Sequence, residues 1–321
     1  MQLVDIKDLR VSFRHHDGVV SAVRGVTLGL SKGESLGIVG ESGSGKSVTF
    51  LALMRLLQAP AATIEADKLE LDGSDLLNAD AKALSDIRGS LVSMVFQDPM
   101  TSFDPLFTIG YQISETIQTH GNTGKKAALA QARELLAKVE IKHPDRVLKE
   151  YPHQLSGGML QRAMIAMALS CEPRLLIADE PTTALDVTVQ AQILQLITDL
   201  QQETGMSLII ITHDLGVIAE TVDRVVVMYG GKVMEIGDTL EIFEDPLNPY
   251  TKALIESIPG REAGKRKLIE IPGSSPNALS PPSGCPFHPR CKLADDKCAS
   301  DAPNLSTFGK NRSAACWKVV Q

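Results

Sequence analysis

Hydrophobic and polar residues alternate through Leu3–Leu30, with Gly18 and Gly25 interrupting the pattern. A period of two predicts antiparallel strands with one face turned to water. After residue 35 the pattern changes to short, mostly apolar runs: Ser35–Val39, Leu91–Phe96, Leu175–Ala178, Ser207–Thr212 and Arg224–Met228. Runs of that length read as strands buried on both faces. Helical spacing marks Lys46–Leu57, Thr108–Thr119, Lys125–Val139, Met159–Leu169 and Val187–Thr204. Strands alternating with helices imply a parallel sheet with crossovers. The run of helical segments between about residues 98 and 170 reads as an insertion between β-rich parts. Past Gly237, seven prolines crowd the chain between Pro246 and Pro282, which predicts a loop-rich extension.

The expected organisation is α/β in four parts. Residues 1–97 would form an antiparallel β subdomain and the first part of the core, and 98–160 a helical subdomain. Residues 161–236 would complete the core, and 237–321 would form a C-terminal extension. No run approaches the ~20 apolar residues of a membrane span. The N-terminus MQLVDIKDLR has acids among its apolar residues and no signal-peptide core, so the chain is expected in the cytosol. Of 321 residues, 43% are hydrophobic, enough for a sizeable core. The formal net charge of −7 and 4% aromatic content argue against a nucleic-acid partner bound by phosphate neutralisation or base stacking. The basic run Arg261–Lys267 reads as a solvated linker.

Candidate chemistry concentrates in three places. Gly40-Glu-Ser-Gly-Ser-Gly-Lys46-Ser47 fits G-x-x-x-x-G-K-[ST] between a predicted strand and helix. Gly40, Gly43 and Gly45, with Ser42 and Ser44 between them, let backbone amides curl around phosphate oxygens. Lys46 supplies a point charge, Ser47 a hydroxyl for Mg²⁺, and the helix start a positive dipole. Leu175–Glu180 is an apolar strand ending in two carboxylates. There Asp179 would serve the Mg²⁺ shell and Glu180 would polarise water as general base. Leu155-Ser156-Gly157-Gly158-Met159 stands 23 residues before Asp179 and opens another predicted helix, a second phosphate-ready site. One nucleotide needs only one such site, so Ser156, Gly157 and Gly158 are expected to serve a nucleotide held by another subunit.

With these motifs in that order, residues 3–235 resemble the ABC ATPase family, whose core is of the P-loop, RecA-like type. The resemblance implies ATP hydrolysis with Mg²⁺ in a head-to-tail dimer, coupled to solute import. It implies roles for Gln97 as the Q-loop residue near the metal and attacking water, and for His213 as the switch histidine. It makes Phe13 the adenine-stacking aromatic and places Asp186 in a D-loop, Thr183-Ala184-Leu185-Asp186. Met159 departs from the glutamine that many members carry. The tail segment Asn248-Pro-Tyr-Thr and the stretch Phe96–Pro105 are similar to the ATPases of oligopeptide and dipeptide importers. That group implies a second, related ATPase chain, two membrane permeases and an extracytoplasmic binding protein, with this chain peripheral at the cytoplasmic face of the inner membrane. Cargo other than peptides, such as nickel complexes, opines or glutathione, stays open. The rival reading, a non-transport ABC ATPase of DNA repair or translation, would call for two cassettes, long coiled-coil arms or a basic surface.

Four of the five cysteines, Cys285, Cys291, Cys298 and Cys316, lie in the last 37 residues with spacing C-x₅-C-x₆-C-x₁₇-C. In a reducing compartment such a group suggests metal ligation rather than disulfides. A [4Fe–4S] cluster and tetrahedral Zn²⁺ both suit four thiolates. The resemblance implies a cluster, since members of the importer group carry one at such a tail; four bare thiols are the alternative.

Overall fold

The computed structural model describes residues 2–121, 123–183, 185–258 and 270–319. The basic run Arg261–Lys267 and Ala184 therefore lie outside the described residues. The chain is α/β and divides into two compact units, one of residues 1–31, 35–78 and 210–321, the other of 32–34 and 79–209.

In the first unit, the alternating N-terminal region forms two long strands, Gln2–His15 and Gly18–Ser31, paired antiparallel. Ala62–Glu65 and Lys68–Leu71 pair with the first of these, also antiparallel. The apolar half of the alternation, including Val4, Ile6, Leu9, Val11, Val26 and Leu30, is buried. In the second sheet Ser35–Val39, buried at every position, runs parallel to Arg224–Tyr229. Arg224–Tyr229 is bordered in turn by the antiparallel Lys232–Asp238. The helix after the glycine loop is Lys46–Leu53, shorter than the expected Lys46–Leu57. Arg55, with φ of 54°, turns the chain out of helical geometry.

The strand Lys232–Asp238 runs through the expected boundary at 236/237, and the tail strand Ser313–Ala314 pairs with it through Glu235↔Ala314 and Ile236↔Ser313. Asn248 Nδ2 donates to the carbonyls of Met234 (3.1 Å) and Ala315 (2.9 Å), stitching the extension to the sheet. Two-residue strands are too short to show alternation, so hydrophobic periodicity carries no sign of this pairing.

In the second unit, Val92–Val95 and Leu175–Asp179 pair in parallel, and every residue of both is buried. Helices Ile109–His120, Lys125–Lys138, Gly157–Ala168 and Val187–Thr204 account for most of the rest. Their ends follow local chemistry. The Thr108 hydroxyl accepts from Tyr111 N–H, and Asp186 accepts from Thr188 and Val189 N–H at 3.1 and 3.0 Å. Gly205, with φ of 68°, closes the last of these helices in left-handed geometry. The buried strand Ser207–Thr212 crosses from this unit into the first.

No helix among the described residues is long and apolar enough to cross a membrane.

Candidate functional site

The sequence-predicted residues fall into a set in each unit. The first unit holds Phe13, Gly40–Ser47, His213 and the four tail cysteines. The second holds Gln97, Ser156–Gly158, Asp179, Glu180 and Asp186.

The glycine loop joins the buried strand Ser35–Val39 to the helix beginning at Lys46. Gly45 has φ of 95°, and a Cβ there would stand 2.5 Å from the Ala22 carbonyl oxygen. At Gly40 a Cβ would meet the Met228 carbonyl oxygen at 2.1 Å. Only glycine fits either place. Gly43 needs glycine for a different reason: its φ is 76°, while the space around it is open. Lys46 is 6% exposed, and its Nζ donates to the carbonyls of Gly40 (2.7 Å) and Glu41 (3.1 Å), which folds the ammonium back over its own loop. The Ser44 hydroxyl is buried and has no hydrogen-bond partner among the described residues. A buried unpaired hydroxyl is costly unless a ligand satisfies it. Open space at Gly43, the ammonium at hand and the orphaned Ser44 hydroxyl together fit a bound phosphate. Phe13 is a half-buried strand residue, opposite Val20 and Ala62. His213 is exposed just beyond the strand Ser207–Thr212, where Asp214 begins a short helix by accepting from Gly216 N–H.

In the second unit Asp179 ends its strand 6% exposed. Glu180 follows with φ of 45°, a left-handed conformation that a side chain seldom adopts. Its Oε2 accepts from Gln97 Nε2 (2.9 Å) and Thr183 Oγ1 (3.0 Å). The structure thus brings two of the predicted catalytic residues, Gln97 and Glu180, into direct contact. Ser156 caps the helix Gly157–Ala168, accepting from Met159 N–H at 3.4 Å, and both Ser156 and Gly157 are exposed. Gly158 is closely packed: a Cβ there would stand 3.0 Å from Val189 Cγ1, a contact the valine would have to ease. The start of that helix therefore lies against the first turn of the helix that Asp186 caps. Asp186 itself is committed to two backbone amides, a structural duty beside any role toward nucleotide.

The four tail cysteines gather in one neighbourhood. Burial pushes the Cys285 thiol up to about 11, and the nearby sulfurs of Cys316, Cys298 and Cys291 push it the same way. Cys285 N–H donates to the Cys298 carbonyl at 2.8 Å, and Lys318 N–H donates to Cys316 Sγ at 3.3 Å. Crowded, desolvated thiols are costly to ionise unless a cation joins them. Among the described residues no three of these sulfurs lie within 4.8 Å of one another.

A cavity of about 350 Å³ opens in the first unit beside Arg10, Ser12, Ser21, Arg24, Thr63 and Lys232. None of the predicted residues lines it. Its cations are partly answered, Arg10 by Asp8 at 2.8 Å and Arg24 by the Gly230 carbonyl at 3.3 Å.

Comparison with known proteins agrees with this geometry. Residues 23–183 match the family described as ABC transporter, and residues 234–298 match the oligopeptide/dipeptide transporter C-terminal region. The oligopeptide transport ATP-binding protein OppD of Haemophilus influenzae is 48% identical over 98% of this chain and 97% of that protein. This chain belongs to the ABC transporter family. It is an ATP-binding cassette ATPase. The dipeptide transport ATP-binding protein DppD of Escherichia coli is 46% identical over 98% of the ABC chain described here and 96% of its own length. Among solved structures, a dimeric ATP-binding cassette in a post-hydrolysis state bound to ADP and Pi superposes with a TM-score of 0.64 at 28% identity. It covers 74% of this chain and 98% of that one, so the cassette fold is shared.

Sequence reasoning passed over Glu41 and Arg290, and read Tyr250 only as part of the tail segment Asn248-Pro-Tyr-Thr. Glu41 occupies a position the glycine-loop motif leaves unspecified. Arg290 sits in a segment read only for its cysteines. A lone acid inside a phosphate loop was the available signal.

Proposed function

We propose that this chain drives a di- or oligopeptide importer by hydrolysing ATP in a head-to-tail dimer. One observation carries the dimer: a single chain holds two backbone sites suited to phosphate, at Gly40–Ser47 and at Ser156–Gly158. ATP is held by the first site of one subunit and the second site of its partner, a related ATPase chain, with Phe13 against the adenine. Ser47, Asp179 and Gln97 hold Mg²⁺, which when bound neutralises charge on the phosphates. Glu180 takes the proton from the attacking water. Lys46 and His213 offset the charge that develops on the transferred phosphoryl group. Closure and reopening of the dimer move two permease subunits, with an extracytoplasmic binding protein delivering cargo. The peptide assignment rests on full-length similarity to peptide-transport ATPases together with the matched C-terminal region. Membrane vesicles carrying the permeases and both ATPases should accumulate labelled dipeptide with ATP, and Lys46→Ala should abolish uptake. ATP-dependent transport of nickel complexes with no peptide uptake would reassign the cargo. Crosslinking an ATP-loaded Glu180→Gln assembly should join residue 156 of one subunit to the glycine loop of its partner.

The same reading gives Cys285, Cys291, Cys298 and Cys316 to an iron–sulfur cluster that braces the tail, with Zn²⁺ as the second choice. An anaerobic preparation should contain about four iron atoms per chain. Four titratable thiols with neither iron nor zinc would remove the metal centre.

A further inference from the structure

The glycine loop is tied to the C-terminal tail through one side chain. Arg290 stands in a 3₁₀ turn, His288–Arg290, between Cys285 and Cys291, and its side chain is 7% exposed. Nη1 donates to both carboxylate oxygens of Glu41, at 2.9 and 2.8 Å, and to Tyr229 Oη at 3.0 Å. Nε and Nη2 donate to the carbonyls of Pro272 (2.8 Å) and Ile271 (3.0 Å), so every guanidinium nitrogen is engaged. Ser275 Oγ also donates to the Glu41 carboxylate. Gly273, with φ of 81°, takes the left-handed turn beside Arg290 that a side chain would strain.

Glu41 connects this anchor to the phosphate loop by its backbone. Its N–H donates to Tyr250 Oη at 3.0 Å. Its carbonyl accepts from Lys46 Nζ at 3.1 Å and from Ser44 N–H at 3.2 Å. Tyr250 is fully buried, and its ring packs on Tyr229 and Phe287 with centroids 4.4 and 5.2 Å away. The loop segment that presents Lys46 and Ser44 is thus clamped from the tail. A carboxylate at that point would repel a triphosphate. Pairing it with a buried guanidinium cancels that charge.

We propose that Arg290 is a positioning residue of the nucleotide site, holding Glu41 so that the loop backbone and the Lys46 ammonium stay ready for phosphate. The tail is then part of the ATP site. The inference rests on Gly40–Ser47 being the nucleotide cradle, and the test separates the two.

Affinity for a fluorescent ATP analogue is measured by titration of the full chain, for the parent and for Arg290→Ala, Arg290→Lys, Glu41→Gln, Arg290→Ala/Glu41→Gln and Lys46→Ala. Arg290→Ala should weaken binding about tenfold, the equivalent of one lost charge-assisted hydrogen bond. The double variant should bind more tightly than Arg290→Ala alone, because it also removes the exposed negative charge. A residue that merely packs the tail would show no such rescue. Arg290→Lys should fall between Arg290→Ala and the parent. Binding by Arg290→Ala equal to the parent, while Lys46→Ala fails, would overturn the positioning role and leave the cradle standing. Undiminished binding by Lys46→Ala would overturn the cradle itself. Should Arg290→Ala not fold, hydrogen exchange in nucleotide-free Glu41→Gln decides. Amides of Gly43–Ser47 should exchange faster than in the parent, and unchanged exchange there refutes the clamp.

Discussion

Gly43 and Gly45 stand two residues apart in one loop and are constrained by different forces. At Gly45 a methyl group would collide with the Ala22 carbonyl, and the backbone is left-handed as well. Gly45→Ala should therefore lose ATP binding and about 2–4 kcal/mol of stability by denaturant titration. Gly43 meets only the backbone penalty, because nothing lies within 4 Å of its Cβ position. Gly43→Ala should cost about 1 kcal/mol and keep measurable ATP affinity. Equal losses for the two variants would contradict the collision at Gly45. Glu180 is a different case, a strained acid whose Oε2 receives Gln97 and Thr183. Glu180→Gln keeps the shape and removes the base. Its single-turnover hydrolysis should fall at least ~100-fold while ATP stays bound.

Two helix starts separate structural from functional duty at the scale of the element. Asp186 accepts from two amides at 3.1 and 3.0 Å, so Asp186→Ala should cost about 1–2 kcal/mol of stability. Ser156 makes one long cap bond of 3.4 Å from an exposed position. Ser156→Ala should cost less than about 1 kcal/mol. If Ser156 completes the partner's nucleotide site, the same variant should lower ATPase activity of the assembled dimer at least ~10-fold. Thermal unfolding and steady-state ATPase assays on the pair of variants would reveal the crossing of the two effects. Parallel losses of stability and activity in both would make Ser156 an ordinary cap.

Within the first unit, a buried acid ties the start of the C-terminal extension to the strand Lys232–Asp238. Glu235, 0% exposed, accepts from the N–H groups of Leu247 and Asn248 at 2.8 and 2.9 Å. Burial pushes its carboxyl above the ordinary 4.5, against the pull of those amides and of Arg312. The native state therefore holds the proton more tightly than the unfolded chain. The contribution of Glu235 to stability is greatest below the ordinary value and declines as pH rises through the folded value. Glu235→Gln removes that decline. The variant's stability relative to the parent should therefore improve as pH rises from about 4.5. Denaturant midpoints across that range check the slope, and a flat difference would deny that the group is proton-linked.

Much of this protein was legible before folding was considered. The glycine loop, the Asp179–Glu180 strand end and the Ser156 helix start announce themselves because neighbours in sequence supply each local geometry: a turn, a cap, a run of apolar residues. The buried strand Ser207–Thr212 and the helix Val187–Thr204 have the bounds their periodicity predicts. What hydrophobic patterning could not decide was where the tail goes. Its strands are two residues long, and its anchor to the loop joins residues 249 positions apart. Arg290 and Glu41 are ordinary surface residues by type, and only tertiary packing buries one against the other. Contacts across such separations depend on how the whole chain closes, which no local period encodes.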